Sequence, residues 1–203
     1  MSKYHFKNSS IYYDGTSTPR NKLDIHDTSE IHELEYALIE QTYETLSSEL
    51  TQDILLDEPY FIDLHKKTFE SLYDFAGVYR DVNMSKGDSQ FCLAQYLHSE
   101  SKRIFDGLRA ENYLADCRDD KRIFASRLAY YQCELIALHP FYELNGRITR
   151  LYIDMLALYN SYRPIDYSDA IDDGAYLNAS IVCVQYADCG VLEEIMLNGL
   201  VEF

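Results

Sequence analysis

The segment HPFYELNGRITR, residues 139–150, separates two apolar stretches that repeat with the period of an α-helix. The stretch before it is apolar over a wide arc, with one stripe formed by Phe124, Leu128, Tyr131, Leu135 and Leu138. The stretch after it has apolar residues at Ile148, Leu151, Tyr152, Met155 and Tyr159. Proline disfavours helical geometry in the residue before it, so we expect the first helix to stop at His139-Pro140. The pattern predicts two central, buried helices joined by a short polar loop.

The rest of the chain predicts further helices and one β-hairpin. Apolar spacing of three and four indicates helices over about 28–50 and 61–77 and around 97–108, with one or two more after about 169. Residues 78–92 combine β-prone segments with the turn sequence SKGDS, which is typical of a hairpin. The predicted fold class is therefore all-α with a single hairpin. We expect one domain over residues 1–203, with its core at about 55–165 and a helical extension at each end.

Composition restricts the classes of function. The chain has 203 residues, 47% of them hydrophobic, and a formal net charge of -16, which argues against binding to nucleic acid or to an anionic membrane. It contains no apolar run of about 18 residues and no apolar leader at its start, so we expect no membrane span and no signal peptide. The five cysteines show no metal-ligand or disulfide pattern. The cytoplasm is the expected compartment.

The start of the second central helix is suited to binding phosphate. A helix N-terminus presents free N–H groups and a partial positive charge, and Asn145-Gly146 lies at this one. Gly146 allows close approach of the backbone or a positive φ, and Asn145 can direct its amide at a phosphate oxygen. Arg147 and Arg150 are three residues apart, so they face the same side and can hold two phosphates.

Two further side chains complete a phosphate-transfer site. Glu143 is a hard oxygen ligand suited to Mg²⁺, and His139 is the side chain with a pKa that allows it to accept a proton near neutrality. The predicted reaction is attack of a hydroxyl on phosphorus with His139 as base. In the alternative interpretation His139 caps a helix and the charged residues pair with carboxylates or solvent. The number of compatible groups in one short segment favours the active site.

This segment resembles the motif HxFx(D/E)GN(G/K)RxxR of the Fic (filamentation induced by cAMP) family at every defined position except Leu144. The resemblance covers nearly the whole chain. Residues 21–23 are similar to the NKL segment of bacterial Fic proteins, and residues 85–92, SKGDSQFC, are similar to their SKGxSxFC flap. His65 and Arg80 also match family positions, and a structural role is the favoured interpretation for His65. The family fold is all-α with a β-hairpin flap, which agrees with the pattern of apolar residues.

The resemblance implies a protein adenylyltransferase, which transfers AMP from ATP to a Ser, Thr or Tyr hydroxyl of a target protein, with Mg²⁺ and release of pyrophosphate. His139 would be the base, Glu143 the metal ligand and Phe141 the anchor of the loop. The implied nucleotide-binding residues are Leu144, Asn145, Gly146, Arg147 and Arg150. The flap would align the target by strand addition, through Ser85, Lys86, Gly87, Asp88, Ser89, Gln90 and Phe91.

Leu144 departs from the motif, which has glycine at this position. One hypothesis is that leucine cannot adopt the required φ, at a cost on the order of 1 to 2 kcal/mol, or crowds the nucleotide, so that the transferase is slow or inactive. The other is that the loop tolerates Leu144 with an ordinary negative φ. Two alternative functions follow: a non-catalytic nucleotide-binding scaffold, or transfer of another phosphate-containing group.

Many Fic proteins are inhibited by a helix that carries (S/T)xxxE(G/N). Residues 29–33 have the spacing but are followed by Leu34, and residues 45–49 are followed by Leu50. The prediction is that any inhibitory helix comes from a separate, small antitoxin-like protein.

Overall fold

The computed structural model describes residues 5–6 and 11–203. Its α-helices are α1 (Thr28–Glu49), α2 (Glu58–Phe69), α3 (Leu97–Ala110), α4 (Lys121–Leu138), α5 (Asn145–Tyr159), α6 (Ser168–Asp172), α7 (Ala175–Tyr186) and α8 (Gly190–Gly199). Its strands are β1 (His5–Phe6), β2 (Met84–Lys86) and β3 (Ser89–Gln90). The predicted all-α class with a hairpin is confirmed. Within the described part of the chain, no helix is both long enough and apolar enough to span a membrane.

Aspartates begin three of the helices. Asp27 accepts hydrogen bonds from the backbone N–H groups of Ser29 and Glu30, both at 2.9 Å, at the start of α1. Asp57 and Asp120 cap α2 and α4 in the same way. Each cap satisfies amide groups that a helix N-terminus leaves without partners. The first helix begins at Thr28, as its predicted range of about 28–50 indicates.

One predicted helix boundary and one predicted number of helices were wrong. The second helix ends at Phe69 rather than near Gly77, and residues 70–77 form turns. Leu72 and Tyr73 are nevertheless buried in the core, so the apolar spacing continued beyond the helix that it appeared to mark. After residue 168 the chain forms three helices, α6, α7 and α8, and not one or two.

Helices α4 and α5 lie at the centre of the core. Phe124, Leu128 and Leu135 of α4 have no exposed surface, and neither do Ile148 and Tyr152 of α5. Helix α4 packs against α3, α5, α7 and α8, while α5 also contacts α1 and α2. Both ends of the 139–144 loop are therefore fixed by buried helices, which confirms the predicted pair of central helices.

The hairpin belongs to a three-stranded antiparallel sheet in the order β1-β2-β3. In the hairpin, Ser85 pairs with Gln90 and Lys86 with Ser89. Gly87, in the turn between them, has φ +56°, a conformation that glycine adopts at little cost. The predicted hairpin is confirmed. The backbone of residues 5 and 6 pairs with residues 85 and 84 on the outer edge of β2, and this strand was not predicted.

Candidate active site

His139 ends α4 in a left-handed conformation, with φ 47° and ψ 57°. Its side chain is 6% exposed, and its ring stacks on that of Phe91 of the hairpin, with centroids 3.7 Å apart. Nδ1 lies 3.2 Å from the carbonyl oxygen of Ile136, which can only accept, so Nδ1 carries the proton and Nε2 the lone pair. Burial lowers the pKa of His139 to about 3, with smaller contributions from Arg80 and Lys86. The ring is thus neutral near pH 7.

Arg80 joins the end of α4 to the base of the hairpin. Its guanidinium donates to the carbonyl oxygens of His139 at 2.8 Å, Val82 at 2.6 Å and Cys92 at 2.5 Å. Its backbone N–H donates to Pro140 O at 2.8 Å. Arg80 is 2% exposed, and burial lowers its pKa to about 10. A single side chain therefore fixes the flap relative to the histidine.

Asn145 closes the loop on itself. Its side-chain oxygen accepts from Phe141 N–H at 2.8 Å, and its side-chain nitrogen donates to Phe141 O at 2.8 Å. The side-chain oxygen and one of the two side-chain N–H groups are thus used within the loop, which leaves one N–H group for the predicted contact with a phosphate oxygen. Gly146 has no positive φ, which corrects one of its two predicted roles. A Cβ built on Gly146 would meet no atom within 4 Å, so the space for close approach of a ligand is present.

Leu144 has φ 68° and ψ 9° and is the N-cap residue of α5. The hypothesis of an ordinary negative φ is therefore wrong. The side chain is 5% exposed and belongs to the hydrophobic core. Burying a leucine contributes about 1.5–3 kcal/mol, which offsets a strain of about 1–2 kcal/mol. Leucine thus adopts the backbone conformation expected of glycine here, and its side chain packs inward.

Glu143 is held from two directions. Its carboxylate accepts a hydrogen bond from the Tyr12 hydroxyl, and its carbonyl oxygen lies 3.1 Å from Nε2 of His65. Nδ1 of His65 accepts from Gly77 N–H at 3.0 Å, so Nε2 is the protonated nitrogen and donates. The His65 ring also stacks on Phe141 at 3.9 Å. Burial lowers the pKa of His65 to about 4 and raises that of Glu143 to about 7. These contacts support the structural role expected for His65.

Arg147 and Arg150 line the same cleft between α1 and α5, which has a volume of about 530 Å³. Nη1 of Arg147 donates to Glu35 of α1 at 2.6 Å. The Arg150 guanidinium lies 5.2 Å from the centroid of the Tyr176 ring. The prediction that the two arginines share one face of α5 is consistent with this cleft.

Two of the predicted target-binding side chains of the flap make hydrogen bonds within the protein. The Gln90 side chain donates to Met84 O at 2.8 Å, and Ser89 Oγ accepts from Gln185 of α7 at 3.3 Å. The turn residues Gly87 and Asp88 are exposed. The outer edge of β2 is already paired with β1.

Among residues 5–6 and 11–203, no group of three or more His, Cys, Asp or Glu side chains is placed to hold a metal. One carboxylate, that of Glu143, lies in the loop next to the N-terminus of α5. This set fits Mg²⁺ better than zinc, because Mg²⁺ in phosphate sites is bound by one or two carboxylates together with the phosphates.

A polar loop between two buried helices, with a hairpin beside it, is the arrangement that the sequence resemblance predicted for Fic proteins. The family model described as "Fic/DOC family" matches residues 55–157. The chain belongs to this family.

Two curated relatives are named as adenylyltransferases. The chain is 32% identical over 162 residues to the "Probable protein adenylyltransferase y4lH" of Sinorhizobium fredii, covering 80% of this chain and 82% of the relative. It is 30% identical over 204 residues to "Protein adenylyltransferase VbhT" of Bartonella schoenbuchensis, covering 100% of this chain and 41% of the relative.

Two solved structures of similar fold come from Bartonella. The BepC protein of Bartonella tribocorum, with bound AMPPNP, has a TM-score of 0.82 and 21% identity, covering 95% of this chain and 97% of that one. The N-terminal Fic domain of a putative cell filamentation protein of Bartonella quintana, with bound ADP, has a TM-score of 0.80 and 21% identity, covering 95% and 94%. These likenesses confirm the Fic fold.

Sequence reasoning missed Tyr12 and Glu35. Tyr12 contacts Glu143 across 131 residues of chain, and Glu35 contacts Arg147 across 112. Neither lies in a local pattern that marks a site, so no signal in the sequence alone pointed to these contacts.

Proposed function

We propose that this chain is a protein adenylyltransferase, which transfers AMP from ATP to a Ser, Thr or Tyr hydroxyl of a target protein. The observation that carries the proposal is the tautomer of His139. Its Nδ1 proton is directed at Ile136 O, so the basic lone pair is on Nε2. Membership of the Fic/DOC family and relatives named as adenylyltransferases support this choice of reaction.

The hydroxyl of the target attacks the α-phosphorus of ATP. A bond forms between the hydroxyl oxygen and the α-phosphorus, and the bond from that phosphorus to the oxygen bridging to the β-phosphate breaks, so pyrophosphate leaves. The hydroxyl proton passes to Nε2 of His139. The stacked Phe91 ring holds the imidazole for this step, and Arg80 holds the backbone carbonyl of His139.

The phosphates bind at the start of α5. Free N–H groups at this N-terminus, with the guanidinium groups of Arg147 and Arg150, stabilise the negative charge. Glu143 would hold Mg²⁺, which supplies neutralisation of phosphate charge. Leu144 and Asn145 contribute to the shape of the loop backbone, because their side chains are directed into the protein.

A target segment aligns along the flap by strand addition. The outer edge of β2 is paired with β1, so a target strand that uses this edge displaces residues 5 and 6.

The proposed compartment is the cytoplasm, which is consistent with five free cysteines. The proposed source of an inhibitory helix is a separate antitoxin-like protein, because the sequence has no (S/T)xxxE(G/N) segment.

Labelling a cell lysate with ATP carrying the label at either the α- or the γ-phosphate tests the proposal. Wild type should transfer label to protein from the α position only, and His139→Ala should abolish transfer. His98→Ala, which changes an exposed histidine of α3, is the matched control and should label as wild type does. Transfer from the γ position would show a different group-transfer reaction. Equal labelling by His139→Ala would exclude the proposed base.

A further inference from the structure

Glu35 of α1 lies in the interior of the protein and is paired with Arg147. It is 2% exposed, and each of its carboxylate oxygens has a partner. Oε1 accepts from the Tyr73 hydroxyl at 2.5 Å, and Oε2 accepts from Nη1 of Arg147 at 2.6 Å. Burial and the nearby Glu35 charge raise the pKa of Tyr73, so the phenol remains a donor. A buried carboxylate with both oxygens bonded is held in one orientation.

Arg147 keeps part of its guanidinium directed outward. The side chain is 24% exposed, and it lines the α1–α5 cleft together with Arg150. Glu35 itself does not line this cleft. Arginine has five N–H donors, and the described contact with Glu35 uses one nitrogen, Nη1. The glutamate therefore anchors an arginine that lines the cleft, without lining the cleft itself.

An acidic partner of a phosphate-binding arginine can either inhibit phosphate binding or position the arginine for it. A glutamate inhibits a phosphate site if it fills the cleft or if it occupies the arginine N–H groups that a phosphate needs. Glu35 is not among the residues that line the cleft, and its described bond to Arg147 uses Nη1 alone. A flexible arginine loses side-chain entropy when a ligand immobilises it, whereas an arginine that is already anchored does not lose it again.

We infer that Glu35 is a positioning residue, which acts through Arg147 to preorganise the phosphate grip, and that it is not an inhibitory residue. Tyr73 supports this role by orienting the carboxylate. The inference rests on the proposed function, because it takes Arg147 to be a ligand of ATP phosphates.

The test measures equilibrium affinity of the full chain for two probes by calorimetry. The first is AMPCPP, an ATP analogue that is not cleaved between the α- and β-phosphates, and the second is adenosine. Glu35→Gln should weaken AMPCPP binding about tenfold and leave adenosine binding unchanged. Glu33→Gln, which removes a carboxylate from an exposed position of the same helix, should change neither.

A double-mutant cycle shows whether Glu35 acts through Arg147. In an Arg147→Gln background, Glu35→Gln should have no further effect on AMPCPP. Tighter AMPCPP binding by the single Glu35→Gln variant would show inhibition, and unchanged binding would exclude any role. Equal weakening of both probes, or the same loss in the Arg147→Gln background, would indicate a general structural role. Each of these outcomes overturns the inference.

Two further results distinguish failure of the proposed function from failure of the inference about Glu35. If Arg147→Gln alone leaves AMPCPP affinity unchanged, the proposed function of Arg147 fails, and the inference fails with it. If Arg147→Gln weakens binding and Glu35→Gln does not, only the inference fails. Should Glu35→Gln not fold, Tyr73→Phe keeps the ion pair and removes the orienting hydroxyl. It should weaken AMPCPP binding two- to threefold, and unchanged binding would count against the inference.

Discussion

At residue 144 two opposing effects act on one leucine. A positive φ costs a residue with a Cβ atom about 1–2 kcal/mol, while burying the isobutyl group contributes about 1.5–3 kcal/mol. Leu144 has φ 68° and is 5% exposed, so both effects apply. Because the side chain packs into the core, its departure from the family glycine does not place bulk in the α1–α5 cleft.

Replacing Leu144 should separate the two effects. Leu144→Ala keeps the positive φ and loses burial, so we expect a loss of about 2–5 kcal/mol in unfolding free energy. Leu144→Gly loses the same burial but relieves the strain, and should be about 1 kcal/mol more stable than Leu144→Ala. Denaturant unfolding measures both. Labelling from α-labelled ATP should not rise in Leu144→Gly, and a rise would show that leucine impairs the site.

His65 should make stability depend on pH. Its folded-state pKa is about 4 and its unfolded value about 6.5. Between these values the unfolded chain takes up a proton that the folded chain does not, so this contribution to stability is lost as pH falls below about 6.5. His65→Gln should be less stable than wild type at pH 7, and the gap should shrink by about 2 kcal/mol at pH 5. A gap that is constant across this range would contradict the buried, neutral imidazole.

At the level of elements, hydrogen bonds and ring stacking connect the hairpin to the end of α4. Arg80 bonds backbone carbonyls on both, and Cys92 N–H donates to Ala137 O at 2.9 Å. The ring of Phe91 then lies on His139. Movement of the flap should therefore move the ring of His139, the proposed base.

Loss of the hydrogen bonds from the Arg80 guanidinium should make the flap more mobile. Lysine keeps the charge but presents one nitrogen where arginine presents three, so Arg80→Lys cannot bond three carbonyls in the same geometry. Hydrogen–deuterium exchange of residues 84–92 should rise at least several-fold. Arg103→Lys, on the exposed face of α3, is the control and should leave this exchange unchanged. Unchanged exchange in Arg80→Lys would show that the flap is anchored elsewhere.

The elements with local signals were predictable, and long-range pairings were not. Asp27 and the apolar stripe of α4 report on their own helix, so the helix order followed from the sequence. The same reasoning failed at residues 70–77, where buried side chains of turns continue a helical spacing. Strand β1 could not be predicted, because a strand of two residues carries no periodicity. The contact of Glu35 could not be predicted either, because its partner is 112 residues away in the sequence.

On the scale of the whole molecule, the two arginines of the site lie among acidic side chains on an acidic protein. The net charge is -16, and the cleft of Arg147 and Arg150 is also lined by Glu40, Glu44 and Asp154. A polyphosphate must therefore be held by short-range contacts at the start of α5, and not by the overall field. The same field favours protein targets that are neutral or basic near the flap.

The most direct test of the central claim is the chemical identity of the transferred group. A lysate incubated with ATP and the wild-type chain should yield peptides with an adenylyl group on a Ser, Thr or Tyr hydroxyl, identified by mass spectrometry. The same peptides should be unmodified with His139→Ala. Phosphoryl groups in place of adenylyl groups, or adenylylated peptides that persist with His139→Ala, would contradict the account.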